Sequence, residues 1–393
     1  MFASIRSVRN PLARLATLAA TLVALAACQP MTTGAGRGGP SVDPSAPVPV
    51  ALLVPKGEGG GGGVVGQSLE NAARLAVNDL RNVRIDLRVY DTAGNPATAA
   101  AAAQQAIADG AGIIVGPLYS QTTAAVTSAT AGRNVNVLSF SNNAALAGGN
   151  VFVLGQTFSD IAGRLSAYAV RQGRNSVVVV HSDDLAGQVG RDAIVNAARA
   201  NNIRVAGVES YPLSQQGIVA AGPRIAQTVQ SSGATSVFLT ANVDSDLPLI
   251  ATTLPENGVD PGQVRMLGLT RWNSLPQALT LPGLQGGLFT LPDQSVLDQF
   301  EARYRAAYGS APHPLAGLAY DAIQAIGSLV ASGRSDALTG RALTQPDGFA
   351  GSSGVFRLRP DGTTQRALAI AQIQNNQVVI VDPAPRRFGA AGF

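Results

Sequence analysis

The stretch that most constrains this chain is residues 111–143, where short apolar runs flank a helix of small residues. Residues 113–115 read as a strand, Gly116-Pro117 breaks it, and a helix of small residues follows from Ser120 to Thr130. A second apolar run, 135–140, ends in the polar tip Ser141-Asn142-Asn143. Short continuous apolar runs separated by helices predict a parallel sheet covered on both faces. Ligands of such sheets bind beyond the carboxyl ends of the strands. Tyr119, Ser120, Ser139, Ser141, Asn142 and Asn143 sit at those ends and are candidate ligand contacts. Ser and Asn also favour caps and turns, so that second reading of the same residues stays open.

The rhythm extends in both directions. An apolar strand at 48–54 precedes a helix from Gly66 to about Leu80, an alternating strand at 84–90 and an alanine-rich helix at 97–109. After a short strand at 151–154, Ser159 is placed to cap a helix running to Arg171. The pattern then restarts with a strand at 176–180 ending in His181, and a helix at 185–200 with Leu185, Val189, Ile194 and Ala197 facing inward. Strands at 203–208, 236–240 and 264–267 alternate with two further helices. Past residue 267 come a strand at 287–291, helices at 294–308 and 315–331, and antiparallel strands at 355–358, 367–372 and 378–381.

With 393 residues, more than one core is expected. We therefore predict an α/β protein of two doubly wound parallel-sheet lobes joined by a hinge. The first lobe would comprise 48–156 plus 271–335, and the second 157–270 plus 336–385.

Hydrophobic residues make up 46% of the chain and charged residues 13%, which marks a folded protein rather than a disordered one. Arg6, Arg9 and Arg14 precede an apolar stretch, 15–27, that is too short to span a bilayer. Residues 1–27 are therefore read as a signal peptide, and those arginines carry most of the net charge of +4. The remaining arginines are scattered singly, which argues against a nucleic-acid partner. Residues 28–47, rich in Gly, Pro, Ser and Thr, read as a flexible tether.

Catalytic signals are sparse. The glycine-rich loop from Gly57 to Gly63 at a strand–helix junction, with Asp91 ending the next strand, offers a degenerate dinucleotide fingerprint. A cleft-edge loop is the plainer reading. His181 and His313 are the only histidines, and neither has a second ligand at metal spacing. There is no Gly-x-Ser-x-Gly elbow or Ser-x-x-Lys motif, and Lys56 is the only lysine. We expect no metal, no cofactor and no catalytic residue, and hence a binding protein rather than an enzyme. His181 ends an apolar strand where the second lobe should face the crevice, as a ligand contact or as an ordinary polar strand end. His313 lies between Pro312 and Pro314 in a predicted loop. Trp272, the only tryptophan, fits a crevice wall or a hinge packing residue.

Two resemblances follow from these residues. Leu25-Ala26-Ala27-Cys28 resembles the lipobox of bacterial lipoproteins. That implies cleavage before Cys28, lipid on its thiol and new amine, and a periplasmic protein anchored to a membrane. Gln29 after the cysteine implies the inner leaflet of the outer membrane.

Most of residues 48–382 resembles the type I periplasmic-binding fold, leucine-binding branch. The first strand at 48–54 carries this, with Asp91-Thr92-Ala93-Gly94-Asn95-Pro96, Ile114-Val115-Gly116-Pro117-Leu118 and Val137-Leu138-Ser139-Phe140-Ser141. Within that branch, Leu138-Ser139-Phe140-Ser141-Asn142 followed by Val151-Phe152-Val153-Leu154-Gly155 is similar to lipoproteins that activate penicillin-binding proteins. This implies regulation of peptidoglycan synthesis by contact with a penicillin-binding protein. Amino-acid transport receptors differ, with an arginine near the position of Gly155 or Gln156 and a Gly-Pro loop where Gly59 to Gly63 stand here. The alternative the resemblance implies is the receptor of an ABC importer for amino acids or related small polar solutes, with an ABC permease as partner.

Overall fold

Alternate side chains of the first strand, β1 (Val48–Val54), enter two different cores. Val48, Val50, Leu52 and Val54 join one apolar cluster, while Ala51 and Leu53 join another. Successive strand residues point to opposite faces, so a run that is apolar at nearly every position must be covered on both sides. The computed structural model describes residues 38–57 and 61–389. The predicted signal peptide, Cys28 and the tether as far as residue 37 lie outside the described residues.

In chain order the first unit is β1, α1 (Gly61–Asp79), β2 (Ile85–Asp91), α2 (Pro96–Ala108), β3 (Ile113–Val115), α3 (Ser120–Thr130), β4 (Asn136–Ser139) and β5 (Val151–Val153). Its strands form a parallel sheet in the order β2-β1-β3-β4-β5. Ala99, Ala103 and Ala106 of α2 and Val126 of α3 cover one face. Leu69, Ala72 and Ala76 of α1 cover the other, together with Ile323 and Ile326 from far along the chain. Asn95 starts α2 cleanly: Pro96 needs no N–H partner, and the Asn95 side chain accepts from the Ala97 and Thr98 amides.

The second unit contains α4 (Phe158–Arg171), β6 (Ser176–Ser182), α5 (Leu185–Ala200), β7 (Arg204–Tyr211), α6 (Gln215–Ser232), β8 (Ser236–Leu239), α7 (Leu247–Glu256), β9 (Arg265–Gly268) and β10 (Leu288–Leu291). Helices α8 (Gln294–Tyr308), α9 (Ala316–Ala331) and the short α10 (Gly340–Leu343) follow. Strands β11 (Phe349–Gly351), β12 (Gly354–Leu358), β13 (Thr364–Arg366), β14 (Ala369–Gln374) and β15 (Gln377–Asp382) end the fold. The second sheet runs β15-β14-β10-β9-β8-β6-β7, and β14 alone runs against the others, pairing antiparallel with both β10 and β15. Here too one strand serves two cores. Val178 and Val180 of β6 face α6 and α7, and Val177 and Val179 face α4 and α5. Strands β11, β12 and β13 form a small antiparallel sheet. The chain is thus an α/β protein of two parallel-sheet lobes.

Several expected boundaries are corrected. The tether gains structure before residue 47: Val42 packs on the first core, its amide donates to the Ser335 carbonyl, and Gly38 accepts from Asn136 Nδ2. Residues 271–291 do not join the first lobe. Trp272, Ala278, Leu284, Phe289 and Leu291 are buried in the second core, and β10 pairs with β9 and β14. Residues 337–358 pack on the first lobe instead, through Leu338, Leu343, Phe349 and Phe356. Trp272 is therefore a core residue of the second lobe, 5.6 Å from the Phe289 ring.

Three local expectations also change. Helix α1 starts at Gly61, not Gly66. Thr157, not Ser159, caps α4, its hydroxyl accepting from the Asp160 amide. Leu185 and Val189 do not face inward: they are 77% and 52% exposed, because the buried face of α5 runs through Gly187, Gly190, Ile194 and Ala197 instead.

Candidate functional site

Beyond the carboxyl ends of β3, β4 and β5 lies a cavity of about 710 Å³. Leu118, Tyr119 and Ser120 reach it after β3, Phe140, Ser141 and Asn142 after β4, and Gly155 and Gln156 after β5. Chain that returns much later closes the opposite wall: Arg271 after β9, Pro292 after β10, Phe300 and Glu301 of α8, His313 before α9, and Asp321 and Arg366.

The sequence candidates separate into those on the cavity and those beneath it. Tyr119, Ser120, Ser141 and Asn142 line it. The Ser120 and Ser141 hydroxyls lie 3.3 Å apart. No side chain caps the first turn of α3, so Ser120 opens a helix whose N-terminal dipole faces the same end of the cavity.

Ser139 is fully buried and does not line the cavity. Its hydroxyl donates to the Pro117 carbonyl, meets Thr123 Oγ1 at 2.8 Å and accepts from the Ser141 amide. Asn143 is exposed and also lies off the cavity. Its side chain accepts from the Ala145 amide and caps a short turn. His181 is buried in the second lobe, its Nδ1 2.7 Å from the Ser182 carbonyl, and does not line the cavity.

Gly155 lets the strand ends close up. A Cβ there would sit 2.6 Å from the Ser141 carbonyl oxygen and 2.8 Å from Asn142 Cα. The position therefore holds the end of β5 directly against the polar tip of β4.

The cavity floor carries a buried ion pair. Arg366 Nη1 donates to Asp321 Oδ2 at 2.7 Å, and the other Asp321 oxygen accepts from the Ser352 amide at 2.6 Å. Arg366 Nη2 donates to the Leu154 carbonyl, and its main-chain amide donates to Asp160 Oδ2. This residue thus joins the first crossing between lobes, after β5, to the last, between β13 and β14. Burial pushes the Asp160 carboxyl up to about 6, against the lowering effect of the Arg366 amide and of the Arg359 and Arg366 charges.

Arg271 and Glu301 are different. Both line the cavity and sense each other's charge, yet among the described residues neither side chain makes a hydrogen bond or ion pair. One stands on the second lobe and the other on α8 of the first.

Sequence reasoning missed Arg271, Glu301, Asp321, Arg366 and the cavity position of His313. All come from chain distant from the 111–143 stretch, and no local motif marks them. Asp91, the acidic residue of the dinucleotide reading, already accepts from the Lys56 and Ala93 amides through Oδ1, and residues 58–60 of the glycine loop lie outside the described residues. Lys56 is ion-paired to the buried Glu70. Among the described residues no cluster of three His, Cys, Asp or Glu could hold a metal ion, and no helix is long and apolar enough to cross a membrane.

Comparison with known proteins gives a consistent fold. A family model described as periplasmic binding protein matches residues 47–377. An ABC transporter substrate-binding protein from Sphaerobacter thermophilus is 18% identical, with a TM-score of 0.64 over 88% of this chain and 100% of that one. A branched chain amino acid ABC transporter periplasmic ligand-binding protein from Burkholderia xenovorans is 17% identical, with a TM-score of 0.65 over 87% and 97%. An ABC transporter substrate-binding protein from Desulfitobacterium hafniense in complex with Leu is 18% identical, with a TM-score of 0.59 over 86% and 100%. Among curated proteins, an uncharacterized protein of Rickettsia prowazekii is 31% identical over 108 residues, and the match spans only 28% of that protein's length and 28% of this chain.

Proposed function

Because the chain belongs to the periplasmic binding protein family, we propose that it is a receptor of the leucine-binding-protein type, extracytoplasmic, whose lobes close on a small, carboxylate-bearing polar solute of the amino-acid class. Proteins of this family bind substrates and are not enzymes. The observation that carries the proposal is the paired Ser120 and Ser141 hydroxyls beside the start of α3, in a cavity also walled by Arg271 and Glu301. Hydroxyls and helix amides there suit a carboxylate. An unpaired cation and an unpaired anion lining the same cavity suit a solute carrying both charges. A cavity of about 710 Å³ accommodates a small solute with bridging water.

The test is a thermal-shift screen of the folded chain against the twenty proteinogenic amino acids. At least one should raise the melting temperature, and Ser120→Ala/Ser141→Ala should lose the shift. A flat screen on the wild type would rule the reading out. An ABC permease is the partner this reading implies.

A second reading, activation of a penicillin-binding protein, is supported by the 138–142 and 151–155 segments and by Gly155. At that position the strand ends leave no room for a side chain, let alone the arginine of transport receptors near it. Copurification of the chain with a bifunctional peptidoglycan synthase, and not with a permease, would favour this role. For either reading, we propose that Cys28 carries the lipid that anchors the chain to the periplasmic face of the outer membrane. Cys28→Ser should move the protein from the membrane fraction to the soluble periplasm.

A further inference from the structure

His313 is fixed before any solute arrives. Pro312 and Pro314 restrict the backbone on both sides. Its main-chain amide donates at 2.8 Å to Ser68 Oγ, a buried hydroxyl that also meets Tyr304 OH. Its carbonyl accepts from the Ala316 amide as α9 begins. The ring is held as well: the Leu315 amide lies 3.2 Å from Nδ1. A backbone N–H can only donate, so Nδ1 must be the acceptor and the ring proton must sit on Nε2. Burial disfavours a second proton, and no neighbouring charge opposes that effect. Among the described residues Nε2 has no partner, although the ring lines the cavity.

We propose that His313 is a ligand-contacting residue, with its Nε2–H donating to an acceptor oxygen of the bound solute. The inference rests on the cleft-binding reading and adds to it. The floor pair Asp321–Arg366 is already engaged in its own contacts, so the neutral imidazole joins the Arg271 guanidinium as a directional donor on this wall. It selects for a carboxylate or carbonyl oxygen and against an ammonium group, which has no lone pair to offer.

Two amide substitutions separate contact from scaffolding. Asn places its amide where Nδ1 is and can still accept from Leu315, whereas Gln reaches to the position of Nε2 and can still donate into the cavity. Calorimetric titration with L-leucine should give saturable binding to the wild type. His313→Gln should stay within about 3-fold, and His313→Asn and His313→Phe should weaken by about 10-fold or more. If Asn binds as the wild type does and Gln does not, the ring is only scaffolding and the inference falls, while the cleft-binding reading stands. If the folded wild type takes up none of the twenty amino acids, L-leucine included, the proposal is overturned together with the reading beneath it; if another amino acid binds and L-leucine does not, the same variants are titrated with that amino acid and the same outcomes decide.

Nitrogen NMR of the wild type provides a check that does not depend on how the variants fold. With only two histidines in the chain, the resonance missing in His313→Asn identifies the ring. An Nε2–H tautomer whose Nε2 signal moves on leucine saturation supports the contact. An Nδ1–H tautomer, or an unmoved signal under saturation, refutes it.

Discussion

Arg366 Nη1 sits 2.7 Å from Oδ2 of Asp321, a carboxylate with no exposed surface, and the pair joins β13 to α9 beneath the cavity. Removing one partner of a buried pair strands the other charge, whereas removing both need not. Asp321→Ala should therefore lower unfolding free energy by about 3–5 kcal/mol. Asp321→Leu/Arg366→Met should recover much of that loss. Urea unfolding of the single and double variants measures both, and a single variant as stable as the wild type would refute the assignment.

Asp160 predicts a stability change with pH. Its folded carboxyl is raised from 3.8 to about 6, so between those values the folded state holds more protons than the unfolded state. Stability from this group is then present below about pH 4 and lost as pH rises through 6. Asp160→Asn keeps an acceptor for the Arg366 amide and removes the buried charge. It should be neutral near pH 4 and stabilise by about 1–3 kcal/mol at pH 7.5. Urea midpoints at the two pH values test this, and an equal effect at both would refute it.

Gly155 has no room for a methyl group. Gly155→Ala should cost about 1–3 kcal/mol of stability, because the strand ends must part. Since Ser141 and Asn142 move with that shift, solute affinity should fall as well. Unchanged melting temperature and binding would show that the tip of β4 yields freely.

The three serines should part company on mutation. Ser120→Ala and Ser141→Ala each remove a hydroxyl on the cavity and should weaken solute binding by about 10-fold; Ser120→Ala should leave the melting temperature unchanged, and Ser141→Ala, whose hydroxyl also accepts from the Asn143 amide, should cost about 1 kcal/mol. Ser139→Ala leaves Thr123 Oγ1 and the Ser141 amide short of a buried partner. It should lower stability by about 1–3 kcal/mol. Paired melting and titration data distinguish the two outcomes.

What could be read from sequence was local. The apolar run at 48–54 already implies a two-faced strand, because every side chain on it must leave water. Ser120 and Ser141 follow from the rule that strand ends face the ligand. Ser139 shares their polar run, yet it is still the last residue of β4 rather than past its end, and its hydroxyl is taken up by Pro117 and Thr123. His181 and His313 show the same limit: each ends or precedes a regular element, and only the returning chain decides which one meets the cavity. Residues 38–47 carry a linker composition, but a backbone bond from Val42 to Ser335 and a side-chain bond from Asn136 to the Gly38 carbonyl fix them. Leu185 and Val189 are apolar, but the face of the helix that meets the sheet carries Gly187 and Gly190 there, and glycine gives a hydrophobic pattern no signal. Contacts spanning hundreds of residues leave no periodicity for a sequence pattern to register.

The most direct test of closure on a small solute is X-ray scattering from the folded chain, alone and with a saturating mixture of the twenty amino acids. The account predicts a smaller radius of gyration with the mixture, and no change in Ser120→Ala/Ser141→Ala. A wild-type profile that is identical with and without the mixture would contradict it.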